Sequence, residues 1–224
     1  RRGQQGRVPP PLSHLHVPPP SPLSLGKDAP EGARPDHRSH RSRGRLLDPH
    51  LHHRRLDLVH IERHARRRFG GGVMGFWAPD VVLVNNQYHV YYSASAFGRN
   101  TSGIGLVTNP TLDPNDPNYK WTDQGLVISS KTGDNFNTID PAVTLTPQGE
   151  LWMCFGSFWS GIKLIQLDPT TGKRITPDSP VYSIAYTREI EASFIYHHND
   201  NYYLFVSWGL CCRGVNSTYN IRVG

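Results

Sequence analysis

The sequence predicts an all-β fold built from repeated, hairpin-rich units, the pattern of a β-propeller. Three observations carry this. From Val73 onward the apolar residues fall in short runs rich in Val, Ile, Tyr, Phe and Trp, separated by Asn, Gly, Asp and Pro. That is the composition of strands and their turns. No long segment with a 3.6-residue apolar period interrupts them. Three segments also resemble one another: each reads carboxylate, apolar strand, tight turn, aromatic strand, small residue. A β-rich repeat of roughly 50–60 residues fits one four-stranded propeller blade.

Residues 1–72 stand apart from this pattern. They hold 15 of the 24 Lys and Arg but only 6 of the 18 Asp and Glu. Residues 73–224 hold the other 9 and 12, so the net positive charge of the chain belongs to its first part. The first part has one aromatic residue, Phe69, while the other 22 lie after it, and any core is expected there. Pro9–Pro11, Pro18–Pro20 and Pro22 predict an extended opening. The Arg/His run over 34–68 has no sustained period. The expected state is a disordered tail. The switch at Gly70–Gly72 has the form of a reading-frame or splice error. The histidines His50, His52, His53, His60 and His64 lack the fixed spacing of a metal site. No aromatic is interleaved with the arginines to stack on bases, so no nucleic-acid partner is expected.

The first repeat runs Asp80-Val-Val-Leu-Val, a turn at Asn85-Asn86, then Tyr88–Ser93. Its second hairpin is Ile104–Val107 with Leu126–Ile128. The second repeat runs from Asp140 through Pro147-Gln-Gly149 to Leu151–Ser157, with Ile162–Leu167 and Val181–Ala185 as its second hairpin. The third runs from Glu191 through Asn199-Asp-Asn201 to Tyr202–Ser207. The carboxylates are 60 and 51 residues apart. If each opens the innermost strand of its blade, symmetry sets all three at one end of the channel. The last four residues, Ile221–Gly224, read as a strand cut in mid-run, as in a fragment.

Other classes drop out. No stretch approaches the ~18–20 apolar residues of a membrane helix. Three cysteines make neither a disulfide scaffold nor a zinc pair. Cys154 is expected in the core. Cys211 and Cys212, if on a regular strand, point to opposite faces, which predicts one buried thiol and one half-exposed. A vicinal disulfide is the alternative. No leader is visible at the start. Two glycosylation sequons, Asn100-Thr-Ser102 and Asn216-Ser-Thr218, permit secretion.

Several longer motifs carry a resemblance. They are Trp77-Ala-Pro-Asp80, Tyr91-Tyr-Ser-Ala-Ser-Ala-Phe-Gly98, Asn137-Thr-Ile-Asp-Pro141, Phe155-Gly-Ser-Phe-Trp159-Ser-Gly161, Ile190-Glu-Ala192 and Cys211-Cys-Arg-Gly-Val-Asn-Ser-Thr-Tyr219. Over residues 74–224 the chain resembles the endo-1,5-α-L-arabinanases of glycoside hydrolase family 43, in wording closest to the fungal secreted members. The resemblance implies a five-bladed propeller, of which about three blades are present. It also implies an inverting hydrolysis of internal α-1,5 bonds in arabinan. Glu191 is then the general acid and Asp140 the residue that tunes the acid's pKa. Inversion needs two carboxyls about 6.5–9.5 Å apart with room for water, which neighbouring blades can supply. Trp77 and Phe97 match the family's sugar-stacking aromatics. Asn137, Thr138, Ile139, Ser157, Phe158 and Trp159 match its sugar-contacting positions. Asp80 carries no catalytic role and is expected to anchor its strand start. Glu189, two residues from Glu191 on a strand-like run, is expected to share its face in a solvated role. Linear α-1,5-arabinan is the implied partner, with an extracellular monomer and neither membrane nor nucleic acid. No cofactor and no metal ligand are expected here, although a central ion such as calcium is open to a complete family member.

The pattern also departs from the family. The general base of a His-Asp-Pro motif should fall near residues 20–30, and neither Asp28 nor Asp48 has an apolar strand after it. A fifth blade is not found. An acid without its base lowers the rate by ~10²–10⁴-fold or more, so the chain as written is expected to be a weak enzyme or a non-catalytic arabinan-binding propeller.

Overall fold

The computed structural model describes residues 75–224. The tail, its histidine cluster, Asp28 and Asp48 lie outside the described residues. Eleven strands follow in chain order: β1 Gly75–Val84, β2 Gln87–Ser95, β3 Ser102–Asn109, β4 Thr122–Ser130, β5 Ala142–Leu145, β6 Leu151–Phe155, β7 Ile162–Leu167, β8 Tyr182–Ala185, β9 Ile190–His198, β10 Asn201–Trp208 and β11 Asn220–Val223. Each strand pairs antiparallel with the next inside its sheet. The sheets are β1–β4, β5–β8 and β9–β11, so the three repeats are three separate sheets. The predicted second hairpins of the first two are β3–β4 and β7–β8. These are three blades of the β-propeller fold.

The turns follow from residue type. Asn85 and Asn86 have φ of 50° and 59°, and Asn199 and Asp200 have 46° and 61°. Two consecutive left-handed residues make the two-residue hairpin turn whose twist suits paired strands, and Asn and Asp tolerate that conformation.

Period-two alternation gives the middle sheet two apolar faces. Leu151, Met153 and Phe155 of β6 pack with Tyr91, Ile104 and Leu106 of the first sheet. Cys154, between them in sequence, faces the other way and packs with Ala142, Ile162, Ile190 and Val206. Met153, Cys154 and Phe155 are all fully buried, as expected for Cys154. Burying three adjacent residues on alternate faces requires a sheet covered on both sides. The first strands of the blades are neighbours: β1 lies against β5, and β5 against β9. Asp80 Oδ2 accepts the Val143 N–H at 2.7 Å, and Thr144 Oγ1 donates to the Ile195 carbonyl at 3.1 Å.

Asp80 therefore does not anchor the start of its own strand. It sits inside β1 and ties that strand to β5. Glu189 lies in the turn before β9, not on a strand, and its carbonyl accepts the Gly209 N–H. Cys211 and Cys212 lie in the loop after β10, outside any strand, and are bonded to each other. Asn100 is buried and donates to the carbonyls of Asp134 and Phe136. Of the two sequons, only Asn216 stands exposed.

Candidate active site

Each innermost strand contains one kink. In β1, Ala78 and Pro79 together oppose Tyr92, between the pairs Trp77↔Ser93 and Asp80↔Tyr91. In β9, Ala192 and Ser193 together oppose Val206, between Glu191↔Ser207 and Phe194↔Phe205. Ahead of β5, the Gly156 N–H bonds the Ile139 carbonyl and Ala142 pairs with Cys154, which leaves Asp140 and Pro141 opposite Phe155. Ala78, Asp140 and Ala192 take the same left-handed φ, 42°, 58° and 50°. Two residues opposite one is a β-bulge, which re-aims the side chains beside it.

This corrects the sequence repeat. Aligned on the bulge, Glu191 stands where Trp77 and Ile139 stand. Asp140 stands where Ala78 and Ala192 stand, and Asp80 falls two residues further on. The three carboxylates are thus staggered rather than equivalent. A bulge adds one residue to one strand, and nothing in an apolar pattern marks which residue is extra.

The stagger brings two carboxyls together. Asp140 Oδ2 accepts the backbone N–H of Ala192, next to Glu191, at 3.1 Å. The Asp140 N–H donates to Ser93 Oγ of the first blade at 2.9 Å. Glu191 receives one donor on each oxygen: Ser157 Oγ to Oε2 at 2.8 Å and Tyr219 O–H to Oε1 at 2.9 Å. Ser157 is held by the loop after β6. There the Phe158 N–H bonds the Ile190 carbonyl at 2.8 Å, and the Gly161 N–H bonds the Phe158 carbonyl at 2.7 Å. Gly161 has φ +77°, and a Cβ there would lie 2.2 Å from the Ala185 carbonyl oxygen, so no other residue closes this loop against β8. Beneath it the buried Lys163 donates to the Ser160 carbonyl and to Ser183 Oγ, and burial pushes its ammonium below the usual lysine range.

Burial sets the electrostatics of the pair. It pushes the Asp140 carboxyl up to about 7; the nearby Glu191 charge adds to the rise and the Ala192 N–H opposes it. Asp140 thus keeps its proton well above the usual carboxylate range. The Tyr219 phenol is pushed up to about 12, first by burial, then by its bond to Glu191 and the charges of Glu191 and Asp140, with the Ser207 hydroxyl opposing. Asp80 is raised by burial and eased back by the N–H groups of Val143 and Val81.

The other predicted site residues divide into two groups. Trp77 is half-buried, at the β1 position that matches Glu191 in β9. Phe97 is 82 % exposed, in the turn beyond the same end of β2. Phe158 is part-buried and Trp159 is 39 % exposed, both at left-handed φ. These aromatics are available to a ligand. Asn137, Thr138 and Ile139 are buried. Asn137 Oδ1 accepts from Ser102 Oγ at 2.7 Å, and Thr138 Oγ1 reaches Ser130 Oγ at 2.5 Å and the Ser102 carbonyl at 3.3 Å. They brace the chain that leads into Asp140.

Two residues of the site had no sequence-level role, Ser93 and Tyr219. The available signal for Ser93 was the small residue that ends each aromatic strand of the repeat. Tyr219 closes the last of the resemblance motifs, but no role came with it, because its partner lies 28 residues earlier. Among the described residues no cluster of three or more His, Cys, Asp or Glu could hold a metal ion. Among them, too, no helix is long and apolar enough to cross a membrane.

Adjacent propeller blades thus contribute two carboxyls, Asp140 and Glu191, joined through the Ala192 N–H. The comparison with known sequences gives the family. The chain belongs to the glycosyl hydrolases family 43, whose model matches residues 52–224, starting ahead of the boundary expected at 73. It is 44% identical over 162 residues to an extracellular exo-α-(1→5)-L-arabinofuranosidase of Cellvibrio japonicus, covering 66% of this chain and 46% of that protein. It is 46% identical over 152 residues to an extracellular endo-α-(1→5)-L-arabinanase of Bacillus subtilis, covering 66% and 45%. Among solved structures it resembles the α-L-arabinanase of Cellvibrio cellulosa complexed with arabinohexaose, at 42% identity and TM-score 0.65, covering 71% of this chain and 55% of that one. The likeness is thus not particular to fungal members. The chain spans just under half the length of the curated relatives it matches.

Proposed function

We propose that this chain carries the acid side of an arabinan hydrolase, acting on α-1,5 bonds between L-arabinofuranose units with inversion. One observation carries the reading: Asp140 and Glu191 come from adjacent blades and meet through the Ala192 N–H. Glu191 is the general acid: the carboxyl pair holds one proton between them, and the form that has it on Glu191 rather than on Asp140 delivers it to the leaving sugar oxygen. Asp140, two-sidedly bonded to Ser93 and Ala192, fixes the backbone beside Glu191 and sets the local charge. Trp77, Phe97 and Trp159 offer flat apolar faces for furanose rings. Asn137, Thr138 and Ile139 act on the sugar indirectly, by holding Asp140 in its bulge. The third role, activation of water, needs a further carboxylate. Asp80 is bonded to Val143 and does not take it. The relatives named above support the substrate class, and their names include both exo and endo action, which a loop at one end of the cleft decides. Secretion belongs to the same reading: those relatives are named extracellular, and the Asn216 sequon is exposed.

The test is incubation of the chain with linear α-1,5-arabinohexaose, with products resolved by size and binding measured by calorimetry. Turnover lost in Glu191→Gln with binding retained supports the hydrolase. Binding without turnover in the parent chain makes it an arabinan-binding propeller. Neither binding nor turnover overturns the reading.

A further inference from the structure

We propose that Tyr219 is a positioning residue that fixes the carboxyl of Glu191 in its proton-donating orientation. This rests on the reading of Glu191 as general acid. The first argument is the division of donors. Oε1 takes the Tyr219 hydroxyl and Oε2 takes the Ser157 hydroxyl. The two donors come from different blades. A carboxyl bonded on one oxygen can still swing about its last torsion, which is broad. Bonded on both sides it cannot.

The second argument is how the phenol arrives. Tyr219 follows a loop closed at its neck between Gly209 and Thr218. The Leu210 N–H bonds Thr218 Oγ1 at 3.0 Å, and the Thr218 N–H bonds the Leu210 carbonyl at 3.0 Å. The Gly209 N–H ties the neck to the Glu189 carbonyl, two residues from Glu191. The neck requires glycine: Gly209 has φ +90°, and a Cβ there would lie 2.5 Å from the Thr218 carbonyl oxygen. Immediately after Tyr219, β11 pairs with β10 in the register Asn220↔Trp208. The phenol is therefore delivered from a segment bonded on both sides. The Ser207 hydroxyl also meets it, and the phenol, 41 % exposed, lies above its ordinary range through partial desolvation and the neighbouring Glu191, so it remains a donor over any ordinary working pH.

Loss of this donor leaves the fold and ring in place but frees the acid to rotate, and misplacing a catalytic group by an ångström costs on the order of 10²-fold. The loss must appear only where the leaving group needs a proton. The experiment compares Tyr219→Phe with the parent chain on linear arabino-oligosaccharides and on 2,4-dinitrophenyl α-L-arabinofuranoside, whose leaving group departs without acid help. The expected result is a fall of ~10–100-fold in kcat on the oligosaccharide with KM little changed, and less than ~3-fold on the activated glycoside. Gly209→Ala, which displaces the loop and keeps the phenol, should give the same selective loss. Equal losses on both substrates, or none on either, overturn the proposal. If the parent chain cleaves neither substrate, it is the hydrolase reading that fails, and the contact is then read from the Tyr219 Cζ carbon resonance. Movement of that resonance in Glu191→Ala supports the positioning contact, and an unmoved resonance overturns it.

Discussion

At Asp140 three groups decide where a proton resides: the surrounding protein, which excludes water; the Glu191 charge; and the Ala192 N–H, which prefers the ionised form. The first two win, and the carboxyl rises to about 7. The consequence for stability has a definite sign. An unfolded Asp ionises near 4, so between about pH 4 and 7 the folded chain binds more protons at this site than the unfolded one. Stability then falls as pH rises through that window. The loss is up to about 4 kcal/mol if the whole shift is realised. Below pH 4 both states are protonated and the contribution is constant. Asp140→Asn keeps the shape and removes the titration. Urea midpoints measured from pH 4 to 8 should therefore fall less steeply for Asp140→Asn than for the parent chain. Parallel curves would rule out the raised carboxyl.

Among the elements, the innermost strands show what a sequence conveys and what it withholds. The repeat was legible because burial on alternate faces writes a period of two, and paired Asn or Asn-Asp residues mark the hairpins. Both second hairpins and the fully buried Cys154 followed from that pattern. The bulges at Ala78, Asp140 and Ala192 were not legible, because an extra residue carries no compositional mark. The sequence repeat accordingly aligns the carboxylates with one another, whereas the fold staggers them. For Cys211 and Cys212 the sequence leaves open a strand with opposite faces or a vicinal disulfide, since nothing in the run from Tyr202 shows that Gly209 leaves the sheet; the structure has them off the strand and bonded to each other. The motif residues Asn137, Thr138 and Ile139 were legible as a group, but not their burial. Asp80 shows the same limit. Its acceptor reaches Val143 on the neighbouring blade, a contact 63 residues away in sequence. Removing it strands a half-buried backbone N–H, which typically costs about 1–3 kcal/mol. Asp80→Ala should lower unfolding free energy by that amount, and Asp80→Asn by less, because an amide oxygen can still accept. Equal stability of Asp80→Ala and the parent chain in urea denaturation would remove the bridging role.

At the scale of the whole described structure, stability depends on sheets covering one another's faces. The middle sheet is covered twice, by clusters on either side. The third sheet is covered on one face, where Ile195 and Leu204 join the shared core. On its other face the register aligns Phe194 with Phe205 and Val223, and Tyr196 with Tyr203. Phe194, Tyr196, Ile221 and Val223 there are 49, 51, 74 and 54 % exposed. The adjoining edge is β11, which pairs on one side only among the described residues. Contiguous apolar surface beside an open strand edge favours association over a monomer in water. Arg222 is the one charge on that edge strand, and its guanidinium lies over the Trp208 ring, on the opposite face. It therefore does little to repel a second chain approaching the apolar face. Light scattering of the purified chain should show association that grows with concentration. The double substitution Tyr196→Lys and Ile221→Lys, which sets two like charges on that face, should suppress it while leaving the shared core untouched. A chain that stays monomeric at high micromolar concentration would mean that this face is not open in solution, and the monomer implied by the family resemblance would stand.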